Sequence, residues 1–408
     1  MRDTMTINVN EKKIINLFYF SIIGLFISFG INFGAYFFLY SSALLGAGLL
    51  IYHHKNKYFI LSNYFWVPII FFLYVSITPG DFFKDLRIGG MMSAAFFSGL
   101  AAYTFFKEKF TILVYFLPIA LVSYFIVHSA ISLVFDQHFF AIGQYANRLT
   151  LSFSHPNVLG EMASFGILSL LCFPSTNNKL RLLEYALMAI LGVMIFLSVG
   201  RSTYMGILAA LLLFFTINFG KKAIFFLLIV LVAGMSALPI LSDTEQKRIT
   251  DMVLAPQNDP NFQCRLPMWI MAFDGFKESP VVGHSLRGFK QFYKEYMEVN
   301  YDRLKSVNKY TIKNPQAHPH SLYMTAIYSW GIVGSALLVA IFVMTARLSI
   351  LDKQYFPIYT IVFMLAYGIF DVRFQSKTGD LFLFFPIGMA YAKFLRWKLA
   401  AGKYVTTI

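Results

Sequence analysis

Pro315-Gln-Ala-His318-Pro-His320-Ser321-Leu-Tyr323 closes a polar, charged stretch, 242–320, and opens an apolar run over 322–346. A helix needs about 17–25 mostly apolar residues to cross a bilayer, and this run meets that length. Similar runs lie near 14–33, 35–52, 58–78, 89–106, 111–134, 157–173, 182–199, 203–219, 223–241, 356–371 and 379–395. The reading is therefore an all-α, polytopic membrane protein with about twelve transmembrane helices. It forms a single membrane domain over 1–408, with one large loop segment, 242–320, between helices nine and ten. Composition excludes a soluble domain: 58% of residues are hydrophobic and 13% charged, against about 25% charged in soluble proteins.

Basic residues in short loops set the orientation. With the N-terminus inside, the inner segments carry Arg2, Lys12, Lys13, Lys55, Lys57, Lys107, Lys109, Lys179, Arg181, Lys221, Lys222, Arg347, Lys353, Lys393, Arg396, Lys398 and Lys403. The short outer loops then hold Lys84, Arg87, Arg148, Arg201, Arg373 and Lys377. Both termini are expected in the cytoplasm and the 242–320 segment on the outer face. The first apolar run lacks a small-residue cleavage site after it and reads as an anchor. Cys172 and Cys264 fall on opposite sides of the bilayer and form no disulfide framework. Part of the net charge of +14 sets topology and meets anionic lipid. The outer excess, which includes Arg201, Arg248, Arg265, Arg287 and Arg303, fits a phosphorylated lipid or an anionic glycan rather than nucleic acid.

Four outer elements carry the candidate chemistry. Leu197-Ser-Val-Gly200-Arg201-Ser-Thr-Tyr is a tight turn with an arginine at the membrane boundary, where it either snorkels or binds an anion. Cys264-Arg265-Leu-Pro-Met-Trp269 leads into a pattern, 268–276, of an amphipathic helix lying on the membrane with Trp269 as an interfacial anchor. Arg287 follows between Gly283 and Gly288, which are expected to make tight turns. An arginine fork can hold two phosphate oxygens at once. Ser154-His155-Pro156-Asn157 starts a helix, Pro156 suiting its first turn, and these polar residues either cap that start or contact sugar. In the opening element, His320 lies one residue from the helix and is the better candidate for a proton acceptor near neutral pH, with His318, Ser321 and Tyr323 beside it. A zinc site from His318, His320, His284 or His155 finds no third or fourth ligand at a recognisable spacing, so no metal is expected.

The GRS turn, the R-x-x-x-W element with S-P-x-x-G, and H-x-H-S-x-Y entering the next helix together resemble the O-antigen ligase and polymerase superfamily. The resemblance covers about 145–346 by motif and the whole chain by topology. It implies a bacterial inner-membrane enzyme acting on undecaprenyl-diphosphate-linked glycans at the periplasmic face, with no cofactor. It implies His320 as the catalytic base and Arg201 and Arg265 as the grip on the donor diphosphate. Ser321 stands where many relatives have Asn. The acceptor is lipid A-core for a ligase, or another lipid-linked repeat for a polymerase. The serine–histidine–proline–asparagine element looks more like polymerases, while the overall layout suits a ligase. Protein O-glycosyltransferases share the motifs, and a secondary transporter shares the helix count but keeps ionisable groups near mid-membrane.

Overall fold

In lipid, a single segment satisfies its own backbone N–H and C=O groups only as a helix. Each expected span but the ninth coincides with a helix in the computed structural model. The structure describes residues 9–31, 34–55, 59–60, 63–78, 82–134, 149–151, 153, 155–222, 260–372, 377–392, 395–398 and 404–406, with isolated positions between 225 and 250. The expected ninth span, 223–241, apart from those isolated positions, and the expectations placed on Arg2, Lys57, Arg148, Ser154, Arg248, Arg373, Lys393 and Lys403 lie outside the described residues.

The helices are α1 (Val9–Gly30), α2 (Ala35–Lys55), α3 (Trp66–Ile77), α4 (Phe82–Phe106), α5 (Phe110–Val134), α6 (Pro156–Cys172), α7 (Asn178–Ser198) and α8 (Arg201–Phe219). After the undescribed stretch a four-residue helical turn, Pro260–Gln263, leads into α9 (Arg265–Glu278), followed by α10 (Phe289–Val307), α11 (Leu322–Leu351), α12 (Phe356–Tyr367) and α13 (Lys377–Tyr391). Among the described residues, six stretches are long and apolar enough to cross a membrane, α4 and α5 counting as one of them. The helices α3, α6 and α12 are shorter and apolar. Large apolar side chains face outward on the long spans, Leu44 at 75%, Phe37 at 70% and Phe83 at 80% exposure. Such a surface is ordinary against lipid and unfavourable against water.

The all-α reading holds for the bundle, and what differs lies at the ends of two spans. Phe59–Ile60, Arg396–Lys398 and Tyr404–Thr406 form a small antiparallel sheet, β1, β2 and β3 in that order. It pairs Phe59 with Trp397 and Trp397 with Val405. The expected span 58–78 thus becomes a strand, a 3₁₀ turn at Asn63–Phe65 and the short α3. The expected 379–395 helix stops at Tyr391.

Packing inside the bundle rests on close helix contact, since lipid tails are as apolar as leucine and give no hydrophobic drive between helices. The tightest pair is α4 with α13. A Cβ added at Gly99 would sit 1.9 Å from the Phe385 carbonyl oxygen, and one at Gly388 would sit 2.0 Å from that of Phe96. Aromatic side chains fill the adjoining space, with Phe71, Phe72, Phe96 and Phe384 in edge or tilted contact.

The expected 322–346 span is continuous in apolarity but broken in geometry. Gly331 has φ 58 and ψ −159 inside α11, a conformation essentially reserved for glycine. The 280–282 backbone passes over it: Ile332 N–H donates to Pro280 and Val333 N–H to Val281, at 2.8 and 3.2 Å. The break leaves 332–351 as about 30 Å of straight helix, enough to span a bilayer. It frees 322–330 to pack against α9, where Gly275 meets the Tyr328 ring. This separate segment carries the His318–His320 loop at its head.

Candidate active site

The loop before α11 is built by local hydrogen bonds. Asn308 Nδ2 donates to the Gln263 carbonyl at 2.8 Å and Thr311 Oγ1 to the Asn308 carbonyl at 2.7 Å. Tyr293 O–H donates to the Ile312 carbonyl. Pro315 and Pro319 disfavour helical backbone at Asn314 and His318, the residues before them. The Trp269 indole N–H fixes the Pro319 carbonyl at 3.1 Å. The sequence suggests a membrane anchor at Trp269; its polar edge instead holds the histidine loop. It stands on α9, whose Pro267, Met268, Met271, Ala272 and Gly275 are buried and whose Ile270 and Phe273 are exposed.

Held this way, His320 has φ +53, a strained choice for a non-glycine residue that clusters at functional sites. Its backbone N–H donates to His318 Nδ1 at 3.3 Å, and the two rings lie 4.3 Å apart. His320 Nδ1 faces Asp371 Oδ1 at 3.7 Å. That is too long for a direct hydrogen bond and close enough for an ion pair whenever the ring carries a charge. Asp371 is 6% exposed. Its Oδ2 accepts from Asn157 Nδ2 at 2.9 Å and Tyr367 O–H at 3.0 Å, and its Oδ1 from the Val372 N–H at 2.9 Å. The carboxylate is therefore fixed before any ligand arrives.

No sequence motif marks Asp371. It lies 51 positions beyond His320, and the two meet because α11 and α12 are tied end to end. Leu322 N–H donates to the Gly368 carbonyl at 2.7 Å, and Tyr323 O–H to the Leu365 carbonyl at 2.8 Å. One signal could have found it: Asp371 is an acidic residue closing an apolar span, 356–371, on the face assigned to His320. Asp371 also revises the metal argument, since His318, His320 and Asp371 each bring a ligand atom within 4.8 Å of the others.

Each of the two arginines is the first residue of a helix: Arg201 of α8, after the Gly200 N-cap, and Arg265 of α9. Both act on the Cys264 thiol, which burial pushes up and their charges pull back, so the two guanidinium groups share one neighbourhood. Burial draws the Arg265 pKa below its ordinary value, Asp371 opposing that shift. Arg265 also stacks 5.8 Å from the Phe370 ring centroid. A helix N-terminus already carries about half a positive charge. The free N-terminus of α8, beside two guanidinium groups, makes a place for an anion.

The remaining candidates divide. Asn157 joins the cluster through Asp371. His155 caps α6, its Nδ1 accepting from the Asn157 N–H at 3.1 Å. Ser321 is the buried N-cap of α11 with no side-chain cap bond. Tyr323 binds backbone on α12, and Arg287 is exposed in the turn before α10. Gly283, at φ +75, makes the tight turn expected of it; Gly288, at φ −65, does not use the left-handed region.

Residues 186–339 match the family model described as O-antigen ligase. No curated protein matches the chain. The matched stretch holds Arg201, Arg265, Arg287, His318, His320, Ser321 and Tyr323, while His155, Asn157, Tyr367 and Asp371 lie outside it.

Proposed function

Because residues 186–339 belong to the O-antigen ligase superfamily, we propose that this membrane protein is an inverting glycosyltransferase whose base is His320. In this reading it moves a glycan from undecaprenyl diphosphate onto lipid A-core. The chain crosses the inner membrane about twelve times as one domain, with both termini cytoplasmic and the 242–320 segment and the site periplasmic. The observation that carries the reading is the fixed Asp371 carboxylate facing His320 Nδ1 at 3.7 Å, beside two helix-terminal arginines.

The chemistry follows from that geometry. A carboxylate facing Nδ1 favours the tautomer with its proton there, leaving the Nε2 lone pair free. As the acceptor hydroxyl attacks the anomeric carbon, its proton passes to Nε2 and the ring becomes cationic. The bond from the anomeric carbon to the diphosphate oxygen breaks in the same displacement. The leaving diphosphate gains charge, which Arg201 and Arg265 stabilise more in the transition state than in the ground state. The donor is already activated by its diphosphate, so the step needs no nucleotide. A positioned base contributes about 10²–10⁴-fold.

A polymerase is the second reading, favoured by the tie of Asn157, from the serine–histidine–proline–asparagine element, into the Asp371 cluster. Deleting the gene and running a lipopolysaccharide gel separates the two. Loss of a ligase leaves unsubstituted core with glycan stranded on the carrier; loss of a polymerase leaves core bearing one repeat. His320→Ala at normal abundance reproduces the deletion pattern. A full ladder from that variant would remove His320 from the role of base.

A further inference from the structure

We propose that His318, His320 and Asp371 also form a transition-metal site of the two-imidazole, one-carboxylate class, and that a Zn²⁺ ion held there stops glycosyl transfer instead of assisting it. The binding half of this inference stands on geometry alone, and the inhibitory half rests on His320 being the base.

The 3.7 Å between His320 Nδ1 and Asp371 Oδ1 is long for a hydrogen bond. It is close to the separation of about 3.3 Å that two ligands adopt on a tetrahedral ion with bonds of about 2.0–2.1 Å. The third ligand atom, from His318, lies within 4.8 Å of the other two. Closing that gap needs a shift of up to about 1.5 Å and lengthens the 3.3 Å contact from the His320 N–H to His318 Nδ1. His318 sits half-buried in a loop, next to the exposed Ala317, so an ion has a path in from solvent. Asp371 is oriented by Asn157, Tyr367 and the Val372 N–H, the outer shell that strong sites have around a liganding carboxylate. Two neutral nitrogens and one carboxylate suit Zn²⁺ and leave a position for water.

Inhibition follows from the proton. Zn²⁺ on His320 Nδ1 displaces the proton from that nitrogen, and the neutral ring then carries its proton on Nε2. The lone pair that accepts the hydroxyl proton is gone, with no electron transferred and no bond broken beyond N–H exchange. Asp371, shared with the ion, can no longer stabilise a cationic ring.

The test uses the full chain purified in detergent through a tag without histidine, with Co²⁺ as probe. Expected are saturable ligand-field absorption of tetrahedral Co²⁺ at one ion per chain, its displacement by Zn²⁺, and affinity at least about tenfold weaker in both His318→Ala and Asp371→Asn. His318→Ala changes a loop residue and serves if Asp371→Asn fails to fold. Zn²⁺ should suppress transfer over the concentrations that displace Co²⁺. Co²⁺ absorption that does not saturate, or that persists in His318→Ala, overturns the site. Binding as expected with transfer indifferent to Zn²⁺ overturns the inhibition. An active His320→Ala in zinc-free buffer would instead defeat the assignment of the base, while the cobalt spectrum still reports the site.

Discussion

Replacing Asp371 by asparagine keeps shape and removes one charge, so it isolates what the carboxylate does for His320. At 3.7 Å, a full charge on each partner interacts by about 4 kcal/mol at an effective dielectric of about 20. The His320 side chain is 31% exposed, and solvent screening reduces this to about 1.5–3 kcal/mol, or about 10- to 100-fold in rate. The loss should fall on kcat, because the ring is cationic in the transition state and neutral before it. KM for the donor should hold or drop slightly, since Arg265 loses a neighbouring negative charge that competes with diphosphate. A second, structural cost arises because the new amide N–H₂ must face either the Asn157 and Tyr367 donors or the Val372 N–H. An unmatched buried donor costs about 1–3 kcal/mol, so abundance and thermal midpoint are measured beside the rate. The assay is transfer from a purified lipid-linked donor to acceptor under initial-rate conditions. Full kcat in a well-folded Asp371→Asn protein would refute the electrostatic argument. A rise in KM with kcat retained would assign Asp371 to substrate binding.

Arg265→Lys keeps the charge and loses the planar fork, and kcat/KM for the lipid diphosphate should fall about tenfold or more; an unchanged value excludes bidentate contact. Gly331→Ala places a Cβ 2.4 Å from the Val281 carbonyl at φ 58, and a destabilisation of about 3 kcal/mol should appear in thermal unfolding in detergent. Tyr296 donates to Asp274 at 2.6 Å and accepts from Arg303 at 2.8 Å; burial first, and Asp274 second, push its phenol up to about 12. A folded-state pKa above the ordinary 10 means stability that is present below pH about 10 and lost as pH rises through about 12. Tyr296→Phe should lose about 1 kcal/mol at neutral pH and show a shallower decline of its midpoint across that window; an equal decline would separate Tyr296 from the alkaline transition.

How much of this molecule is legible in its sequence depends on the range of each physical signal. Span positions are local, because twenty apolar residues in a row have one stable form in lipid, and they are legible. The break at Gly331 is not, since hydropathy is continuous across it and the cause is the 280–282 backbone arriving from elsewhere. Trp269 shows the same limit: a ring with an apolar body and a polar edge suits a membrane interface and a buried carbonyl equally, and only the neighbouring Pro319 decides between them. Arg201, Arg265 and His320 stand out as candidates through short motifs, and all three lie within 186–339. Asp371 and Asn157 do not, because their meeting depends on how α6, α11 and α12 end at one level.

The residues found by motif are those proposed to touch substrate, whereas those found in the fold hold the motif residues in place. Arg201 sits at the N-terminus of α8, where the helix dipole repels it, and His320 sits at a φ that costs about 1–3 kcal/mol. These unfavourable terms persist only because surrounding structure over-determines them: Trp269 on the Pro319 carbonyl, the α11–α12 tie at Leu322 and Gly368, and the oriented Asp371. On this argument the supporting residues outside 186–339 matter to transfer as much as the arginines do.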